Sequence, residues 1–245
     1  MSQLPFDWFE PDWPAPNNVR ACVTTRSVGD SLAPYAHFNV GEHVGDERLQ
    51  VQRNRQFLAE ALGCQPSWLN QVHGNLVVDA DASLTRTADA SVSREVALAS
   101  CIMSADCLPV LFADQAGSCV AAAHAGWRSL VAGILENTVA RMQVAPWQIM
   151  AWLGPAIGPK VFEVGEEVRE AFVHLHAEAE HAFVPSQSSE RWLADIYQLA
   201  RVRLAACGVQ AIYGGGLCTV TDPRFYSYRR DARTGRFASL VWLTR

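Results

Sequence analysis

A cysteine and a histidine interrupt an otherwise apolar stretch in the middle of the chain. Residues 105–127 read ADCLPVLFADQAGSCVAAAHAGW, a pattern that predicts two buried strands joined by a hairpin turn. Cys107 lies in the first arm and His124 in the second. A thiolate and an imidazole on neighbouring strands can share a metal ion, and they can also act as nucleophile and general base. The chemistry available here therefore depends on how the two strands pair.

The turn signal is Asp114-Gln115-Ala116-Gly117, and a two-residue loop at Gln115-Ala116 places Cys107 directly opposite His124. A four-residue loop would keep this register, whereas a three-residue loop would shift it by one residue and place the pair diagonally. Directly opposed residues share one face of a sheet, with Cβ atoms about 4.5–5.5 Å apart. Alanine and glycine surround His124 and leave space beside its ring, and His73 in NQVHG offers a third ligand. A buried cysteine beside a hydrogen-bonded histidine would account for the pair without any metal, so both interpretations stay open at this point.

The surrounding elements predict a mixed α/β fold with hairpins, which argues against a purely parallel doubly wound sheet. No repeat, low-complexity tract or linker appears, so residues 1–245 are predicted to form a single domain. The predicted helices cover residues 47–62, 129–142, 165–182 and 192–207. Besides the hairpin arms, the predicted strands cover residues 20–26, 66–74, 97–103, 149–153, 210–217 and 237–243.

Composition excludes several classes of partner. The 245 residues are 49% hydrophobic with a net charge of −5, which disfavours nucleic acid and anionic membrane as partners. The N-terminal segment has neither the basic nor the apolar region of a signal peptide, and no run of about 18 apolar residues could span a membrane. Seven scattered cysteines without a CxxC pair indicate reduced thiols. We therefore expect a cytoplasmic protein.

Seven motifs in order connect the chain to a known family. NQVHG, SADCLPV and HAGWRS, with FNVGEHVGD before them and LGPAIGP, FEVGEEV and FYSYRRDARTGR after them, resemble the laccase-domain purine nucleoside phosphorylases. That family was once described as multicopper polyphenol oxidase-like. The resemblance runs from about residue 24 to residue 243. One departure is Ser129, where the family usually has glycine.

The resemblance implies a fold, a metal and an activity. The fold would be α/β, with mixed sheets flanked by helices, related to the cytotoxic necrotizing factor deamidases. The metal would be a divalent ion, usually Zn²⁺ and less often Cu²⁺, on His73, Cys107 and His124. The implied activities are phosphorolysis of adenosine, inosine and methylthioadenosine, and deamination of adenosine. The partners are then purine nucleosides and phosphate, and we expect a monomer or weak homo-oligomer.

The chemistry of these three residues suits a catalytic metal. Three protein ligands leave an open position, where a water molecule would have its pKa lowered toward neutrality. Deamination also needs a group that shuttles protons. Asp106, adjacent to Cys107, and Asp89 are the candidate shuttles. A structural, hydrogen-bonded aspartate is the alternative role for either.

Phosphorolysis also needs an anion site. The segment GWRSLVAG predicts a strand, a turn and a helix start, where backbone N–H groups favour phosphate beside Arg128. Arg229 and Arg230 are candidates for further bidentate contacts. Asn39 and Arg53 lie in segments that match the family, and we expect them to line the pocket.

Three other functions compete with this interpretation. A copper-dependent polyphenol oxidase needs more imidazole ligands than seven histidines supply. A metal-free cysteine hydrolase or amidase, acting on peptidoglycan precursors, would use Cys107 as nucleophile and His124 as base. A binding module without catalytic activity is the third, and three potential metal ligands argue against it.

Overall fold

The protein has a mixed α/β fold in a computed structural model that describes residues 7–245. The first six residues, part of the segment that argued against a signal peptide, lie outside the described part. The helices are α1 (Arg48–Leu62), α2 (Trp127–Val131), α3 (Ile134–Met142), α4 (Glu166–Leu175), α5 (Ile196–Ala206) and α6 (Tyr228–Asp231). Short 3-10 helices cover Glu42–Val44, Pro146–Gln148 and Ala177–Ala182.

Fifteen strands are seen within residues 7–245, more than the sequence predicts. They are β1 (Val19–Val23), β2 (Gln65–Ser67), β3 (Leu69–Asn70), β4 (Val77–Asp79), β5 (Arg86–Thr87), β6 (Ala90–Ser93), β7 (Leu98–Ser104), β8 (Leu108–Asp114), β9 (Val120–Ala125), β10 (Ile149–Leu153), β11 (Glu163–Gly165), β12 (Phe183–Pro185), β13 (Arg191–Ala194), β14 (Ala211–Gly214) and β15 (Phe237–Leu243).

Two sheets dominate the architecture. The larger has the order β14-β10-β8-β9-β6-β4, and the smaller has the order β1-β15-β7-β2. Both are mixed: β10 is antiparallel to β8 but parallel to β14, and β7 is antiparallel to β15 but parallel to β2. A three-stranded sheet (β11-β13-β12) and the pair β3-β5 complete the described part.

The buried side chains show how these sheets are layered. One face of the six-stranded sheet packs on α2 to α5, through residues such as Phe112, Leu130 and Phe172. Its other face meets the four-stranded sheet, through residues such as Leu111 and Ile102. On the far side of the smaller sheet, Leu58 of α1 joins a third cluster. Every residue of β8 and β9 is buried, so both faces of these strands are covered. This explains why both arms of the hairpin are almost continuously apolar instead of alternating with polar residues.

The register of the hairpin differs from the prediction. Pro109, not Cys107, pairs with His124, and Cys107 lies just before β8 begins. The loop has four residues, 115–118. Gly117, its third residue, has a left-handed φ of 65°, which glycine adopts without strain and which lets the chain turn back. The Asp114 carboxylate fixes this loop by accepting bonds from the N–H groups of Ser118 and Cys119 at 2.7 and 2.8 Å. The shift is two residues, so Cys107 keeps its predicted face.

The predicted helix over residues 129–142 is two helices. It breaks between α2 and α3 at Gly133, whose φ of 91° is incompatible with a continuous right-handed helix. The apolar periodicity alone did not reveal this, since Ile134, Leu135 and Met142 are buried in α3 as the pattern indicated.

Two further helix predictions are wrong in part. The segment 192–207 begins with strand β13, and α5 starts only after Asp195, whose carboxylate accepts from the N–H groups of Tyr197 and Gln198. The segment 165–182 is α4 followed by a 3-10 helix from Ala177. Helix α1 and the strands β7, β10 and β15 lie close to their predicted positions. In the described part, no helix is both long and apolar enough to cross a membrane.

Candidate metal centre

The ends of four strands meet at one edge of the two sheets. Strand β7 ends at Ser104, which pairs with Phe237 at the start of β15. Strand β8 begins at Leu108, which pairs with Ala125 at the end of β9. Loops that leave and enter these strands therefore share a small space. The segments that carry His73, Cys107 and His124 all open onto it.

His73, Cys107 and His124 come together as the sequence predicted. One donor atom from each lies within 4.8 Å of the other two, and His73 Nε2 is 3.9 Å from Cys107 Sγ. The two imidazole rings are 4.8 Å apart between centroids and inclined at 73°. His124 is buried, Cys107 half-buried and His73 exposed, so the group is open on one side.

These three side chains fit a tetrahedral divalent ion. With Zn–S near 2.3 Å and Zn–N near 2.0–2.1 Å, tetrahedral ligands stand roughly 3.5 Å apart, slightly closer than the His73–Cys107 separation. Small side-chain movements would therefore close the group around an ion. Two nitrogens and one sulfur suit Zn²⁺, and Cu²⁺ is a less suitable alternative for a thiolate-containing set without further ligands. Within residues 7–245 this is the one such cluster of histidine, cysteine or carboxylate ligands.

The electrostatics of the site favour a thiolate. Burial by itself would raise the pKa of the Cys107 thiol, but the charge of His124 and hydrogen bonds from both histidines lower that pKa to about 6. Burial by itself would lower the pKa of His124, and the Cys107 thiolate and Asp89 raise it. Cys107 is thus already in the form that ligates a metal or attacks an electrophile. By contrast, burial raises the pKa of Cys22, Cys64, Cys101 and Cys119.

Gly126 provides the space for the Cys107 sulfur. A Cβ added at Gly126 would lie 2.9 Å from Cys107 Sγ and 3.4 Å from His73 Cδ2. The register explains this contact, since the residue after Ala125 lies beside the residue before Leu108. The glycine in HAGW therefore has a packing reason in addition to its place at the start of α2.

A cavity of about 460 Å³ adjoins the cluster. Its volume is in the range of small-molecule sites, roughly 300–1,000 Å³. Three arginines, Arg128, Arg229 and Arg236, line it together with one carboxylate, Asp106. Its other lining side chains are largely aromatic or apolar and include Trp127, Ile157, Phe162, Ile196 and Tyr228.

The three arginines approach from different elements. Arg128 lies in α2, with its guanidinium 4.4 Å from the ring centre of Trp127. Arg229 donates to the carbonyls of Val161 and Glu163 at 3.2 and 3.3 Å. Arg236, immediately before β15, donates to Gly235 O at 2.9 Å.

Asp106 lines the cavity, but both carboxylate oxygens accept hydrogen bonds. Thr219 Oγ1 donates to one oxygen and the Arg229 backbone N–H to the other, each at 2.6 Å. The backbone of Asp106 has a φ of 93°, and its carbonyl accepts from Ile157 N at 2.9 Å. Asp106 therefore fixes the corner that presents Cys107 and the backbone that carries Arg229. Asp106 lies in the bend between β7 and β8 and not in a strand, so the alternation of side chains along a strand does not decide which way it faces.

The remaining predicted site residues lie outside this cavity. Asn39 is buried and accepts from Arg236 N at 2.8 Å, so it contacts the site only through the backbone of a lining residue. Arg53 lines a separate surface cavity and forms an ion pair with Asp30 at 3.8 Å. Arg230 turns toward Asp231 and the carbonyls of Thr219 and Phe225.

Sequence reasoning missed several residues that line the cavity. Arg236 lies in the matched segment FYSYRRDARTGR, from which only Arg229 and Arg230 were predicted to contact phosphate. Gln71, in NQVHG, lines the cavity and exchanges two hydrogen bonds with the Met103 backbone, each at 2.9 Å. Tyr228 and Phe162 also lie in quoted motifs. Their motif membership was the available signal, but only the fold shows which motif residues face the cavity.

Comparison with known proteins places the chain among relatives of high similarity. A purine nucleoside phosphorylase of Pseudomonas aeruginosa is 61% identical over 237 residues, covering 96% of this chain and 98% of that one. The purine nucleoside phosphorylase YfiH of Escherichia coli is 52% identical, covering 95% and 97%.

Among solved structures, the Neisseria meningitidis protein NMB0706 aligns with a TM-score of 0.95 at 48% identity, covering 98% of this chain and all of that one. The family model described as multi-copper polyphenol oxidoreductase laccase matches residues 20–244. The chain therefore belongs to this laccase-like family, and the Pseudomonas aeruginosa and Escherichia coli relatives both carry the name purine nucleoside phosphorylase.

Proposed function

We propose that the protein is a zinc-dependent purine nucleoside phosphorylase that acts on adenosine, inosine and methylthioadenosine, with adenosine deamination as a second activity. One observation carries the proposal: the His73–Cys107–His124 cluster opens onto a cavity that three arginines line. The names of the relatives support the phosphorylase part.

The arginines would supply the phosphate site. Arg128, Arg229 and Arg236 bring three positive charges to a cavity whose described lining contains the single carboxylate Asp106. Guanidinium groups bind phosphate oxygens in a bidentate manner and stay charged at all working pH values. Helix α2 has only five residues, so we assign the anion to these side chains rather than to the helix terminus.

The aromatic side chains would bind the purine. Trp127, Phe162 and Tyr228 line the cavity, and flat apolar rings suit a heteroaromatic base. Tyr228 is 61% exposed, so the entrance to the cavity has an aromatic side chain.

His73, Cys107 and His124 would hold the zinc ion. A zinc ion with an open position supplies Lewis-acid polarisation and a lowered water pKa. Of the two candidate proton shuttles, Asp106 lines the cavity whereas Asp89 is fully buried. We therefore propose Asp106 for proton transfer in deamination, with a change of its bond to Thr219 during turnover.

Product analysis tests the proposal. Adenosine incubated with zinc-loaded protein and phosphate should give adenine and ribose 1-phosphate, whereas inosine formed without phosphate would report deamination. Cys107→Ala should abolish both, and Cys207→Ala should not, because Cys207 lies at the end of α5 and contacts Leu204 O. Free ribose in place of ribose 1-phosphate would show hydrolysis and contradict the phosphorylase assignment.

A specific arrangement favours a second candidate, a cysteine hydrolase or amidase acting on peptidoglycan precursors. Cys107, His124 and Asp89 form a chain in which His124 Nδ1 lies 2.9 Å from Asp89 Oδ1. A thiolate, an imidazole and an orienting carboxylate are the parts of a cysteine nucleophile site. The implied relation to the cytotoxic necrotizing factor deamidases, itself a prediction, points the same way. This enzyme would work without metal, so activity of chelator-treated protein on such precursors would support it.

We also propose a cytoplasmic location, since the cysteines of the described part are free thiols.

A further inference from the structure

Asp89 is a fully buried carboxylate that contacts both histidines of the cluster. It lies between β5 and β6 and has no exposed surface. One oxygen accepts from the His73 N–H at 2.9 Å and lies 2.9 Å from His124 Nδ1. The other accepts from the Gly74 N–H at 2.7 Å and from the Val72 N–H at 3.2 Å. Four donors thus converge on one side chain.

These bonds hold an otherwise unfavourable backbone conformation. His73 has a φ of 60°, in the left-handed region that residues other than glycine rarely adopt. Three consecutive N–H groups, from Val72 to Gly74, turn toward the same carboxylate. The loop that presents His73 therefore takes its shape from Asp89.

The backbone of Asp89 continues the same connection. Its carbonyl accepts from His124 N at 2.7 Å, and its N–H donates to Leu76 O at 3.1 Å. One residue thereby joins the His73 loop to the end of β9 through both its side chain and its main chain. Nothing comparable links Asp106 to the two rings, since its carboxylate bonds Thr219 and Arg229.

We infer that Asp89 is the positioning residue of the metal centre, setting the place of His73 and the ring orientation of His124 together. This rests on the metal site of the proposed function. Because Nδ1 of His124 bonds the carboxylate, Nε2 is the ring nitrogen left for a metal, and His124 would ligate through it. Partners of this kind fix ligand geometry, and their loss lowers metal affinity about 10–100-fold.

Zinc affinity of Asp89→Asn tests the inference, with Asp114→Asn as the matched control. Asp114 is also buried and also accepts from backbone N–H groups, but at the turn of the β8–β9 hairpin, at the opposite end of β8 from Cys107. Competition with a chromophoric chelator should show about 10–100-fold weaker Zn²⁺ binding for Asp89→Asn. Asp114→Asn should lose thermal stability to a similar degree and keep wild-type affinity.

Each other result has a definite meaning. Wild-type affinity in folded Asp89→Asn, or an equal loss in Asp114→Asn, overturns the positioning role. Failure of the unmutated protein to bind Zn²⁺ overturns the metal site itself, which separates the two proposals.

If Asp89→Asn fails to fold, nitrogen-15 NMR spectra of the zinc-loaded wild-type protein test the positioning role instead. A protected Nδ1–H signal from His124 supports the inference. Coordination through Nδ1 contradicts it.

Discussion

At the scale of single residues, Arg236 is the clearest candidate for phosphate binding that the sequence did not single out. Arg236→Gln removes one guanidinium from the cavity, and losing a charged hydrogen bond costs about 1.5–3 kcal/mol. We therefore expect the KM for phosphate to rise at least about 10-fold, with a smaller change in the KM for the nucleoside. Initial rates over a range of phosphate concentrations measure this.

The matched control for Arg236→Gln is Arg86→Gln. Arg86 is an exposed arginine in β5, paired with Asp81 at 3.3 Å and remote from the cavity lining. Equal effects of the two substitutions would mean that general surface charge, not the cavity, determines phosphate affinity.

A second prediction at this scale concerns Gly126, because the Cβ of any side chain there would lie 2.9 Å from the Cys107 sulfur. We expect Gly126→Ala to weaken Zn²⁺ binding at least about 10-fold while the protein stays folded, since the displaced thiolate is a proposed ligand. Gly74→Ala is the control: alanine keeps the backbone N–H that bonds Asp89, and its Cβ would meet only ordinary contacts of 3.5 and 3.7 Å, on Asp89 and Val72. Chelator competition on both variants checks this, and unchanged affinity in Gly126→Ala would contradict the assigned ligand geometry.

The sequence identified residue types at the site better than it identified their partners. The cysteine and both histidines were predictable, because motif and residue chemistry agree at those positions. Asp89 was singled out as a proton shuttle, but its four donors come from two distant segments and no spacing rule encodes them. Asn39 and Arg53 lie in segments that match the family, and only the fold shows that they lie outside the cavity.

At the scale of elements, the hairpin shows why an incorrect register still gave the correct pair of residues. A shift of two residues preserves the face to which each side chain points, whereas a shift of one would have reversed it. Cys107 and His124 therefore remain neighbours, although Pro109 is the residue opposite the histidine. The loop length was not predictable, because it depends on how the Asp114 side chain binds the turn.

The single helix predicted over residues 129–142 is wrong because one glycine there has a left-handed backbone conformation. Gly133 separates α2 from α3, and substitution by alanine at a φ of 91° should cost about 1 kcal/mol of the free energy of unfolding. Gly63→Ala is the companion variant, at a φ of 63° with open space around its Cβ, and should lose a similar amount. Urea denaturation compares the two. Greater stability in Gly133→Ala would mean that the helix can run unbroken from α2 into α3.

At the scale of the whole molecule, the proposed metal ligands come from three segments that meet only in the folded protein. His73 follows β3, Cys107 lies between β7 and β8, and His124 belongs to β9, so an ion bound by all three binds the native state. At a free Zn²⁺ concentration of 100 times Kd, such binding stabilises by about 2.7 kcal/mol. For a chain of this size, that raises Tm by roughly 5–10 °C.

Removing zinc therefore distinguishes the zinc-dependent phosphorylase from the metal-free cysteine hydrolase by thermal stability and by activity. Chelator-treated protein should show the lower Tm and no phosphorolysis, and added Zn²⁺ should restore both. Cys107→Ala should have a Tm that does not respond to zinc, whereas Cys207→Ala should respond like the wild type, because its thiol bonds Leu204 O away from the cluster. A phosphorolysis rate that survives complete zinc removal would contradict the metal-dependent mechanism. The same metal-free protein, if active on peptidoglycan precursors, would show that Cys107 serves as a nucleophile held by His124 and Asp89.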